Sequence, residues 1–95
     1  MRIGLVRYAN TLPLSVGLER HLPGARILRD TPAAIAAGLT EGALDVGIVP
    51  VAALAAHPEW HAVEDLGIAS DGPVLSVLLL GGKPVEEARS LVTDP

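Results

Sequence analysis

Tyr8, Asn10 and Thr11 place a phenol, an amide and a hydroxyl together where the apolar run Ile3-Gly4-Leu5-Val6 gives way to a segment with helical spacing. A side-chain amide donates and accepts at once, which suits it to orienting a hydroxyl or a carboxylate of a small ligand. Thr11 can cap the following helix and Pro13 fits its first turn, where a missing N–H costs nothing. Neither job requires Tyr8 or Asn10. Both also have ordinary roles. An Asn in a turn hydrogen-bonds its own backbone, and a core tyrosine packs its ring in apolar surroundings while its hydroxyl finds a partner.

A second polar set lies in Ile68-Ala69-Ser70-Asp71-Gly72-Pro73-Val74-Leu75-Ser76-Val77. Ser76 interrupts an apolar face otherwise made by Val74, Leu78 and Leu80. A hydroxyl buried there must find a partner or cost about 1–3 kcal/mol. Nearby backbone could supply that partner, and so could a ligand. The histidines offer less. His57 and His61 stand four apart, as metal ligands on one helix would, but Pro58 lies between them and breaks the helix. No metal site and no cofactor is expected. The glycine patterns of nucleotide-binding loops and the Gly-x-Ser-x-Gly of hydrolases are absent. Asp45 reads as a junction residue rather than a base, and Glu86 and Glu87 as a solvated first turn.

The elements that must position these groups alternate. Arg2–Val6 reads as a strand and Leu12–His21 as a helix, with Leu14, Leu18 and Leu22 on one face until Pro23-Gly24 ends it. Ala25–Arg29 is a second strand. Asp30-Thr31-Pro32 starts a helix with an apolar stripe at Ile35 and Leu39, and Gly42 serves as its C-terminal glycine. Leu44–Val49 is nearly continuous in apolar residues, as a parallel strand covered on both faces should be, and Pro50 stops it. Val51–Ala56 predicts one or two helical turns and Trp60–Glu64 an edge or return strand. Leu66–Ser70 predicts a short extended segment, and Asp71-Gly72-Pro73 a turn. Val74–Leu80 predicts a strand, Lys83–Glu87 the beginning of a helix, and Ser90–Pro95 the approach to another strand. The expected fold class is α/β, a mainly parallel sheet with helices on both faces.

Composition narrows the function classes. A chain of 95 residues without an internal repeat holds at most one domain. It has no Phe, one Trp and one Tyr, so its core must be aliphatic. Seven basic against eleven acidic residues give a formal charge of −4 without a basic cluster, which argues against nucleic acid as a partner. Cysteine is absent, so disulfides and thiolate metal sites are excluded. The first strand leaves no room for a leader, and no apolar run approaches membrane-spanning length. No membrane association is expected, and the expected location is cytoplasmic.

Three stretches, in order, carry a resemblance. Tyr8-Ala9-Asn10-Thr11-Leu12-Pro13-Leu14, Gly42-Ala43-Leu44-Asp45-Val46-Gly47-Ile48-Val49-Pro50-Val51 and Ile68–Val77 resemble the successive signatures of the chorismate dehydratases of the futalosine route to menaquinone. The chain differs from that pattern at Ala9, where Leu is usual, and at Arg7, where a small residue is common. The resemblance implies a lobe of the periplasmic-binding-protein type II architecture, two α/β lobes around a cleft. By that comparison the chain covers most of the first half of lobe one, and the second lobe comes from the remainder of a longer protein. It also implies a cofactor-free dehydration of chorismate to 3-[(1-carboxyvinyl)oxy]benzoate, driven by aromatisation. Asn10 and Ser76 would then be catalytic, with Tyr8, Thr11, Ser70 and Gly72 as substrate contacts. No carboxylate stands out as a base, which leaves a group on the substrate or on the remainder of the chain to accept the proton.

Two rival classes share the fold that the resemblance implies. One is a non-catalytic small-molecule-binding module, such as a solute receptor or an effector-sensing domain. A receptor needs a leader and a transcriptional sensor a basic helix-turn-helix segment, and neither is visible. The other is the sister enzyme 1,4-dihydroxy-6-naphthoate synthase, whose amino-terminal motif lacks the Tyr-x-Asn-Thr pattern.

Overall fold

In the computed structural model, which describes residues 1–74 and 80–90, the chain is built on three parallel strands. β1 (Arg2–Val6) is central, between β2 (Arg26–Asp30) and β3 (Val46–Gly47). Ile3 pairs with Ile27 on one side and with Val46 on the other, and Gly4 pairs with Leu28 and Gly47. The third strand is shorter than the apolar run Leu44–Val49 implies. Backbone hydrogen bonds from Asp45 N to Arg2 O and from Ile48 N to Gly4 O extend its contact with β1. The α/β class and the parallel sheet through Ile3, Ile27 and Ile48 are therefore present as expected.

β1 is apolar on both faces because both are covered, and Ile3, Leu5 and Val6 are all buried. The Gly4 face carries α3 (Pro32–Thr40). Ile35 of α3 is fully buried, and with Val6 and Leu44 it forms the core, against which Leu39, Ile48 and Val49 pack. Two glycines permit that approach. A Cβ on Gly4 would come within 2.8 Å of Ile35 Cγ2, and one on Gly47 within 2.6 Å. Burying a side chain such as Ile35 contributes roughly 1.5–3 kcal/mol relative to leaving it in water.

Local signals account for the bounds of α3. The Thr31 hydroxyl accepts from Ala34 N at 3.3 Å as N-cap, Pro32 occupies the first turn, and Gly42 follows the helix at φ +68°. Elsewhere the pattern misled. The helix expected over Leu12–His21 is two pieces, α1 (Leu12–Ser15) and α2 (Leu18–His21), divided at Gly17, whose φ of +79° no right-handed helix accommodates. α4 (Val51–Ala56) has its expected bounds. Trp60–Glu64 is not a strand: Trp60 N–H bonds back to His57 O and the indole stacks on the His57 ring, centroids 4.0 Å apart. The region of Lys83–Glu87, expected to begin a helix, holds only a 3-10 turn over Val85–Glu87. Most of the expected strand Val74–Leu80 and of Ser90–Pro95 lies outside the described residues. Residues 61–74 and 80–90 are exposed throughout, Val63, Leu66, Ile68 and Val85 included.

Candidate functional site

Because the sheet is parallel, the ends of β1, β2 and β3 lie along one edge, and each leads into a junction there. These are Arg7–Thr11, Asp30–Thr31 and Ile48–Pro50. Such an edge of an open α/β sheet is where ligands are bound. The first junction, leaving the central strand, holds three of the expected site residues.

Tyr8 is extended and about half exposed, and Ala9–Thr11 forms a single 3-10 turn. Thr11 pins that turn. Its side chain is buried, and its hydroxyl lies 2.7 Å from Tyr8 O and 3.1 Å from Val6 O, donating to these two carbonyls. Thr11 stands at the N-cap position of α1 but makes no side-chain cap bond, contrary to expectation. The hydroxyl is turned back to the chain it follows. Asn10 is exposed, and its amide makes no hydrogen bond with any described residue. The local bond that an ordinary turn asparagine would make is absent among the described residues.

Beside this turn is a shallow depression of about 310 Å³, lined by Arg7, Tyr8, Thr11, Leu12, Ser15 and Arg29 among others. Arg7 Nε donates to Arg29 O at 2.9 Å, tying the end of β1 to β2. Arg29 was not singled out in the sequence, and Arg7 only as a departure from a motif. Their pairing depends on the β1–β2 register, which sets Leu5 opposite Arg29, and nothing local to either residue announces it.

The second polar set is less assembled. Ser70 Oγ donates to Gly72 O at 3.1 Å, and Gly72, at φ +94°, turns an exposed loop. No hydrogen bond joins this loop to the Tyr8–Thr11 turn among the described residues. Ser76 lies in 75–79, outside the described residues.

Other titratable groups serve structure. Asp45 is at the opposite end of the sheet from Asn10, held by Arg2. His57 follows the last residue of α4, its Nδ1 2.9 Å from Glu59 Oε1, so His57 and His61 do not share a helix. Glu59 is held below the ordinary glutamate range, first by its own backbone N–H and then by the His57 ring. Among the described residues no cluster of three His, Asp or Glu is placed to hold a metal, and no helix is long and apolar enough to cross a membrane.

The fold is of the open parallel α/β class, with polar groups at the carboxyl end of its central strand. The family follows from comparison: a family model described as menaquinone biosynthesis matches residues 1–93, and the chain belongs to that family. No solved structure matches it.

Proposed function

We propose that this chain is the amino-terminal part of a chorismate dehydratase, a cytoplasmic enzyme that removes water from chorismate to give 3-[(1-carboxyvinyl)oxy]benzoate. The observation that carries the proposal is the Asn10 amide, exposed at the carboxyl end of the central strand and without a described partner. Membership of the menaquinone-biosynthesis family supports the pathway, and the Tyr8–Leu14 motif supports the particular step.

The reaction breaks a ring C–H and a ring C–OH bond and leaves an aromatic ring. Aromatisation supplies the driving force, so the protein's part is to hold a dianion in one pose and assist the departing hydroxyl. Asn10 and Ser76 orient the substrate's hydroxyl and carboxylate. Tyr8 forms one wall, and Ser70 and Gly72 contribute a facing loop. Thr11, buried and bonded to two carbonyls, acts by fixing the turn that presents Tyr8 and Asn10. A second lobe closes the cleft. The exposed apolar side chains of residues 61–74 and 80–90 are consistent with more protein packing over them.

The test is to incubate the full-length protein with chorismate and separate the products. Formation of 3-[(1-carboxyvinyl)oxy]benzoate in proportion to enzyme is the expected result. Chorismate recovered unchanged from folded protein would remove the activity.

A further inference from the structure

We propose that Arg7 and Arg29 form a carboxylate-binding pair at the edge of the sheet, taking one carboxylate of a small cyclic dicarboxylate. In its choice of ligand this rests on the dehydratase assignment above. In its geometry it rests on the sheet. Leu5 is opposite Arg29 in the β1–β2 register, and Arg7 directly follows Val6, the last residue of β1, so both arginines stand at the carboxyl end of the sheet, where Arg7 reaches the Arg29 carbonyl. Both line the depression of about 310 Å³ beside Tyr8, a volume at the lower end of the roughly 300–1,000 Å³ of small-ligand sites.

The bonds already made there leave donors over. Arg7 uses Nε on the Arg29 carbonyl at 2.9 Å, which steadies its guanidinium and leaves both terminal nitrogens without a described partner. No described carboxylate forms an ion pair with either arginine. Asp30, the nearest acid in sequence, is opposite Val6 and therefore on the other face, and its Oδ1 accepts from Thr31 N at 2.8 Å. Two arginines thus line one depression in a chain whose net charge is −4. An anion seated between two guanidinium groups is attracted by both. A carboxylate suits the guanidinium fork, which can give it two parallel hydrogen bonds where lysine offers a point charge.

The probe is isophthalate, a rigid benzene dicarboxylate, titrated calorimetrically into the full-length protein and its Arg7→Gln and Arg29→Gln variants. Both side chains are exposed, and melting curves establish that the variants are folded. Saturable binding to the unmodified protein, weakened about tenfold or more in each variant, is expected, with Arg7→Lys recovering only part of the loss. Absence of saturable binding to the unmodified protein, or an unchanged Kd in both variants, overturns the pair. Chorismate kinetics separate the two proposals. Weakened isophthalate binding in a protein that cannot dehydrate chorismate supports the pair and rejects the dehydratase. Unchanged binding in variants of an active dehydratase rejects the pair alone.

Discussion

Asp45 takes hydrogen bonds from both the backbone and the side chain of Arg2: Oδ2 accepts from Arg2 N at 2.6 Å and from Nε at 3.3 Å, and Oδ1 accepts from Nη2 at 2.6 Å. The start of β1 is thereby tied to the start of β3 across 43 residues of chain. The Arg2 guanidinium, then its backbone N–H, hold the Asp45 carboxyl down at about 2 from an ordinary 3.8. A carboxyl depressed on folding stabilises the fold above its unfolded value, and the contribution fades as pH falls toward the folded one. Acid should therefore weaken the fold through this pair between about pH 4 and pH 2. In Asp45→Asn that part of the acid dependence should vanish. Equal falls in Tm for both proteins over the window would contradict it.

The close approach of α3 to the sheet gives a packing prediction. A methyl at Gly47 would meet Ile35 Cγ2 at 2.6 Å and Leu39 Cδ1 at 3.2 Å. Gly47→Ala should destabilise the fold by about 1–3 kcal/mol through overpacking. In the double variant with Ile35→Ala the costs should sum to more than the measured loss, because the contact that clashes is gone. Urea midpoints check both, and strict additivity would show that the two sites are not in contact.

Thr11 offers a test of how the turn is held. Thr11→Val keeps the shape but removes the hydroxyl shared by the Val6 and Tyr8 carbonyls, and should cost about 1–3 kcal/mol. Thr11→Ser, which keeps the hydroxyl, should retain most of the stability. If Thr11→Val and Thr11→Ser melt together, the hydroxyl does not hold the turn.

What could be read from the sequence were the elements with local causes. The Thr31-Pro32 start and Gly42 end of α3 are capping chemistry within one turn, and α4 sits between Pro50 and Pro58. The parallel order followed from strands separated by helical segments. What failed depended on competition that periodicity does not register. Leu14 and Leu18 keep helical spacing across Gly17, whose left-handed backbone nevertheless divides the helix. Trp60 has the residue type of a strand but stacks on His57 instead. At the site, Tyr8, Asn10 and Thr11 were visible as a motif. Arg29 was not, because its place beside Arg7 is set by register 22 residues away.

The proposed second lobe yields a further expectation. If, as proposed, a second lobe closes the site over the exposed residues 61–74 and 80–90, the 95-residue chain alone should not turn over chorismate. Product formed by this chain, purified free of the full-length enzyme, would show that one lobe suffices.

The central claim is that Asn10 acts on substrate rather than on its own backbone. The most direct measurement is kcat/KM for chorismate in full-length Asn10→Ala, with Ser76→Ala alongside, on protein shown to be folded. A turn or capping role predicts a loss of about 0.5–2 kcal/mol in stability with turnover per folded molecule preserved. The substrate role predicts a fall of about tenfold or more in kcat/KM in each variant, equivalent to about 1.4 kcal/mol of transition-state stabilisation, with little change in Tm. Near-normal kcat/KM in both variants would contradict the account and return Asn10 to the turn.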